Sequence, residues 1–259
     1  MKKILVSTIS FVNHQKEGSE IYTTFAKRLV NDVLTKTNYD VRVSTNEPKY
    51  FEELIGNDRV IINHCELGNH KTNVKTFNQL LKFYALKDVK NEYDWILYLD
   101  CDAGLTTNVN LNDVEVYLNQ LDSQNYDMSA LRTDATYDIA KKEYIESNGR
   151  TSYPKPLFND KFIFYGINDS WSGSKLPSEH ILLIKNNHKL KLMAEHFENF
   201  CTQFETQDEN DVITFDMEAF EIGVSAHLAG YNIVEMTWGR QCELFKVGFN
   251  YNNWEKIKR

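Results

Sequence analysis

Tyr93-Asp94-Trp95-Ile96-Leu97-Tyr98-Leu99-Asp100-Cys101-Asp102 joins an apolar run to a pair of aspartates. From Trp95 to Leu99 every residue is aliphatic or aromatic, and two aspartates then follow one residue apart. A strand covered on both faces loses the apolar/polar alternation of a half-exposed one, so the run predicts a central strand of a mostly parallel sheet. In open α/β sheets ligands bind just past the C-terminal strand ends, which is where Asp100 and Asp102 fall. Two carboxylates separated by one residue point the same way from an extended backbone. Hard cations such as Mg²⁺ or Mn²⁺ favour oxygen-rich settings, and Mg²⁺ usually takes one or two carboxylates and leaves its other positions to water and substrate phosphates. The spacing therefore nominates Asp100 and Asp102 as metal ligands. A plain strand-end turn is the competing reading, because Asp is a common turn residue.

Outward from this stretch, composition sets the frame. A chain of 259 residues with 42% hydrophobic content can bury the core of one large α/β domain. Cysteines at 65, 101, 201 and 242 form no close pair, which indicates neither a disulfide framework nor a zinc ribbon and suits a reducing, cytoplasmic setting. The opening Met1-Lys2-Lys3-Ile4-Leu5-Val6-Ser7-Thr8-Ile9-Ser10-Phe11 is read as a first strand. Its apolar run is too short and too broken by hydroxyls for a secretory leader. No apolar stretch approaches the roughly 20 residues that span a bilayer. A net charge of −8 argues against a broad electrostatic grip on nucleic acid, while a local basic groove is compatible with it.

Upstream, residues 2 to 11 read as a strand, Glu20 to Thr35 as an amphipathic helix and Tyr39 to Asn46 as a strand stopped by Glu47-Pro48. A third strand is expected over 58 to 63. A helix from about Asn73 to Lys87 then leads into the Asp-x-Asp strand. This alternation implies right-handed crossovers and a parallel sheet. Downstream, Val114 to Leu121 reads as a helix and Tyr126 to Leu131 as a strand. Residues 133 to 175, with Gly149, Pro154, Pro156, Gly166 and Gly173 among many aromatics, suit irregular segments. A strand is expected over 180 to 185, helices over Lys189 to Thr202 and Asp211 to Ala229, and a final strand over Tyr231 to Met236.

Several side chains are candidates for binding or chemistry. Thr8 and Ser10, at the end of the first strand, and Thr45 and Asn46, at the end of the second, open onto the same sheet edge as Asp100 and could hold a nucleotide. Hydroxyls and Asn also simply terminate strands. Lys75 and Lys82 lie seven residues apart on one helical face and could offset phosphate charge, or could form a solvated face. Glu218 and Glu221 share a helical face with Asp216 a half-turn earlier. A carboxylate near a bound sugar could act as general base or stabilise developing positive charge; an acidic cluster near a helix N-terminus is equally what the macrodipole favours. Trp171, Tyr165 and Trp238 could stack on sugar rings. His64-Cys65 with His70 lacks the second ligand pair of a zinc site, and His180, His188, His196 and His227 have no partner visible in the sequence. No Gly-x-Gly-x-x-Gly, Walker loop or Gly-x-Ser-x-Gly elbow is present, which removes support from dehydrogenase, P-loop and hydrolase readings.

Taken together, Phe77 to Leu86 followed by Tyr93 to Asp100, with the motif Asp100-Cys101-Asp102, resembles the GT-A superfamily of nucleotide-sugar glycosyltransferases. The match is most specific over residues 70 to 105 and extends over 1 to 131. Phe215 to Gly223 is similar to the acidic helix on the acceptor side of many members. The resemblance implies a single GT-A-like domain over 1–259, with about 1–131 binding the nucleotide-sugar and about 132–259 the acceptor. It implies Asp102 on a Mn²⁺ or Mg²⁺ ion bridging the donor diphosphate, and Asp100 on the ribose or supporting the metal. Asp216, Glu218 or Glu221 would serve on the catalytic side. Some members use a C-terminal His ligand; no His follows His227, so Gln241, Glu243 or water would take that place. The acceptor is open: a glycan or small molecule is favoured, with protein or modified DNA as further options. Two rivals stand beside this reading. A haloacid-dehalogenase-type phosphotransferase also carries Asp-x-Asp after an apolar strand, but usually on the first strand, with Thr or Val where Gly104 stands here. A non-catalytic nucleotide-sugar-binding protein is the other.

Overall fold

The computed structural model describes residues 2–14, 18–67, 81–131, 178–203 and 217–249. In chain order these form β1 (Ile4–Ile9), α1 (Ile21–Lys36), β2 (Asp40–Thr45), a 3-10 helix (Pro48–Leu54), β3 (Val60–His64), a second 3-10 helix (Leu81–Ala85), β4 (Trp95–Leu99) and β5 (Ala103–Leu105). There follow α2 (Leu111–Ser123), β6 (Met128–Leu131), β7 (Ser178–Lys185), α3 (His188–Gln203), α4 (Met217–Leu228), β8 (Ile233–Met236), α5 (Trp238–Phe245) and β9 (Val247–Phe249).

Seven strands make one sheet in the order β3-β2-β1-β4-β7-β6-β8. All its pairings are parallel except those of β7, which runs against both β4 and β6. The architecture is thus α/β, a mostly parallel central sheet with flanking helices. The C-terminal ends of β1, β2, β4, β6 and β8 and the start of β7 consequently share one edge.

β4 lies in the middle because its sequence is apolar at every position. Trp95, Leu97 and Leu99 face the core shared with Phe25, Leu29 and Val33 of α1 and Val114 and Leu118 of α2. Ile96 and Tyr98 face the second core, with Phe83 of the 3-10 helix, Phe197 of α3 and Ile222 of α4. Each fully buried side chain of this size contributes roughly 1.5–3 kcal/mol. A slip of one residue would exchange the two sets and carry Asp100 to the α1 face, so the register that places the site is strongly specified.

The structure revises several boundaries. Of the helix expected over 73 to 87, the described part is only the 3-10 turn Leu81–Ala85, and residues 73–80 lie outside the described residues. The helix expected over 114 to 121 extends to Leu111–Ser123, started by the Asn110 side chain accepting from the Asn112 amide at 3.1 Å. Only Met217–Leu228 of the helix expected over 211 to 229 is described. The strand ending at Met236 is not the last: α5 and β9 follow, and β9 pairs antiparallel with β5, directly after Asp102.

Candidate functional site

The strand-end edge brings Asp100, Asp102, Lys82, Tyr98 and His180 together. Alternation along β4 sends Tyr98, and Asp100 after it, to the face covered by the 3-10 helix. There Lys82 Nζ lies 2.9 Å from Asp100 Oδ1. The Tyr98 hydroxyl donates to the same oxygen at 2.7 Å. On the other side β7 pairs with β4 as far as Leu99 and Ile181, and the next residues meet twice. The Asp100 amide donates to the His180 carbonyl at 3.2 Å, and His180 Nδ1 sits 2.7 Å from Asp100 Oδ2.

These contacts fix the charge state of the first aspartate. Burial opposes ionisation of Asp100, but Lys82, His180 and Tyr98 outweigh it and bring the carboxyl down to about 2. Asp102 is different. Burial and then the Asp100 charge push its pKa up, against smaller opposing effects of His180 and Lys82. Its carboxylate has no ion pair among the described residues, and its backbone carbonyl accepts from Arg28 Nη2 at 2.7 Å. Burial, followed by Asp102 and Asp100, holds the Cys101 thiol well above its usual range.

The other candidates divide by position. Thr8 is fully buried with its hydroxyl unpartnered. It shares the face of Ile4 and Val6, opposite to that of Asp100. Ser10 is also buried with an unpartnered hydroxyl, and its amide donates to Ser44. Asn46 commits its amide to main chain: Oδ1 accepts from the Val12 N–H and Nδ2 donates to the Val12 carbonyl, both at 2.9 Å. Lys82 is not on a solvated face; its side chain is 7% exposed. Glu218 and Glu221 fall in the first turns of α4. Lys75, Asp216, His70, Tyr165 and Trp171 lie outside the described residues.

His180 and Tyr98 were not nominated by the sequence. Tyr98 reads as one more apolar strand residue, and His180 gains its partner only from an antiparallel pairing across 80 positions. The position of His180 at the start of an expected strand was the one available hint.

A divalent cation fits this set in one specific way. Among the described residues no group of three or more His, Cys, Asp or Glu side chains is arranged to hold a metal alone. Asp102, though, is a partly buried carboxylate lacking an ion-pair partner among the described residues, the kind of group a cation completes. Among the described residues Asp100 takes three donors, Lys82, Tyr98 and His180, of the about four acceptor positions that an ionised carboxylate offers.

No protein-family model matches the chain, and no curated protein sequence matches it. Its fold is similar to those of three solved glycosyltransferases. One is the bifunctional enzyme WbbM in its apo form, at 11% identity and TM-score 0.44, aligned over 91% of this chain and 38% of that one. An active-site mutant of LgtC aligns at 12% identity and TM-score 0.45, over 90% of this chain and 72% of that one. Mouse xyloside xylosyltransferase 1, apo, aligns at 11% identity and TM-score 0.46, over 97% and 99%. The chain thus spans well under half the length of WbbM. Among the described residues no helix is long and apolar enough to cross a membrane.

Proposed function

We propose that this chain is a glycosyltransferase that moves a sugar from a nucleotide-diphosphate donor bound at the C-terminal edge of its sheet. One observation carries the reading: at the end of the central strand, Asp100 is held ionised by Lys82, His180 and Tyr98 while Asp102 presents a carboxylate with no ion-pair partner among the described residues. In this reading Asp102 holds Mn²⁺ or Mg²⁺, and Asp100 supports it or accepts from the donor ribose. Bound there, the metal supplies Lewis-acid stabilisation of the leaving diphosphate.

The protein's own groups do the rest. Lys82 places a fixed positive charge beside the site and keeps Asp100 from repelling a diphosphate at full strength. Tyr98 and His180 hold the Asp100 carboxylate in one orientation, so that its remaining acceptor position is directed rather than mobile. Asp216, Glu218 or Glu221 serves the acceptor side, and the acceptor is a glycan or small molecule.

A thermal-shift panel of UDP-, GDP- and CMP-sugars with and without Mn²⁺ tests the proposal. A ligand at 100 times its Kd stabilises the native state by about 2.7 kcal/mol. One donor raising the melting temperature only with Mn²⁺ supports the reading. Phosphatase turnover without sugar transfer would favour the phosphotransferase alternative instead.

A further inference from the structure

Arg28, Asp32 and Lys36 recur every four residues along α1 and make one stripe beside its apolar face. That stripe is half-buried and turned onto β5. Arg28 Nη2 donates to the Asp102 carbonyl at 2.7 Å and reaches the Ala103 carbonyl at 3.5 Å. Asp32 Oδ2 accepts from the Leu105 amide at 3.0 Å. Lys36 donates to the Leu105 carbonyl and pairs with Asp32 Oδ1 at 2.5 Å. β5 is three residues long and has a strand partner, β9, along one side. Along the other, these three side chains satisfy its peptide groups, as a neighbouring strand would.

Gly104 makes the approach possible. A Cβ there would lie 3.0 Å from Asp32 Oδ2 and 3.9 Å from Arg28 Nε. The arrangement also leaves Arg28 Nε buried without a partner, a local cost that the rest of the fold must offset.

We infer that Arg28 is a positioning residue for Asp102, and that the Arg28-Asp32-Lys36 stripe sets the direction in which the Asp102 carboxylate faces. The inference rests on the donor-site reading above. Its physical basis is that the Asp102 side chain has no ion-pair partner among the described residues to orient it. Its direction is therefore inherited from the main chain, and the main chain at 102–105 is held by α1. Groups that orient a ligand from behind typically change metal affinity by about 10–100-fold when removed.

The test uses the full chain with Mn²⁺ and UDP, free Mn²⁺ being read by electron paramagnetic resonance. Arg28→Met keeps an unbranched apolar side chain and removes the guanidinium, whose Cζ lies 5.5 Å from the Phe25 ring centre, together with its donors. It should weaken Mn²⁺ binding by about tenfold or more, with Arg28→Lys recovering part of the loss because an ammonium can still donate to the Asp102 carbonyl. Amide exchange at Ala103 and Leu105 should accelerate in Arg28→Met while that of Leu97 does not. Wild-type affinity in a folded Arg28→Met, or equal loss in Arg28→Lys, overturns the inference. If Arg28→Met fails to fold, Asp32→Asn gives the decision: it should speed exchange at Leu105 and weaken Mn²⁺ binding, and unchanged values in both overturn the inference. Wild-type protein that takes up no Mn²⁺ with any nucleoside diphosphate overturns the donor-site reading itself, a result distinct from the others.

Discussion

Lys82 Nζ and Asp100 Oδ1 lie 2.9 Å apart, with 7% and 17% of their side chains exposed, so the site at the end of β4 contains a largely buried ion pair. Breaking a buried pair from one side leaves an uncompensated charge and typically costs 3–5 kcal/mol. Lys82→Met should therefore destabilise the protein by about 3 kcal/mol in urea denaturation. Lys82→Arg, which keeps the charge, should cost less.

The two aspartates should respond to substitution in opposite directions. Asp100 is ionised at a stabilising position and Asp102 at a costly one. Asp100→Asn should lower the melting temperature at pH 7, whereas Asp102→Asn should leave it unchanged or raise it. A carboxylate kept against stability is expected where function requires strain. Differential scanning fluorimetry of both variants decides the point.

The pH dependence follows from the same pair. Asp100 has a folded pKa of about 2, below its ordinary 3.8. The stability it contributes, about 2 kcal/mol, is fully present above pH 4 and is lost as pH falls toward 2. Asp102 has a raised pKa, so the folded state binds its proton more tightly than the unfolded state does, and its protonation stabilises the fold as pH falls. Asp100→Asn should flatten the loss below pH 4, and Asp102→Asn should remove the opposing gain, both measurable in acid denaturation curves.

Much of the fold was legible in the sequence because its strands obey local rules. The uninterrupted apolar run of β4 announced a doubly covered strand, and both cores against it confirm why. The amphipathic spacing of α1 was equally plain. What stayed hidden depends on distant pairing. β7 inserts antiparallel between β4 and β6, and no local signal in Ser178–Lys185 states its neighbours. His180 therefore looked isolated. β5 and β9 have three residues each, too few for a periodicity to register. Helical spacing offers Lys82 a phosphate or a solvated face, and its contact with Asp100 does not show there because the described part of that segment is a 3-10 turn.

The β5–β9 pairing is tight enough to test by itself. A Cβ on Gly248 would meet Thr106 Cγ2 at 2.7 Å. Gly248→Ala should cost about 1–3 kcal/mol through overpacking. Adding Thr106→Ser, which removes that methyl group, should recover part of the loss in a double-mutant comparison by urea denaturation.

In the proposed donor site Asp102 would hold the divalent cation that accompanies a nucleotide-sugar diphosphate. Calorimetric titration of UDP and GDP into wild type and Asp102→Asn, with and without Mn²⁺, tests it most directly. One nucleotide should bind the wild type in a Mn²⁺-dependent manner, and folded Asp102→Asn should lose this dependence. Mn²⁺-dependent binding of equal affinity in Asp102→Asn, or no binding of either nucleotide to the wild type, would contradict it.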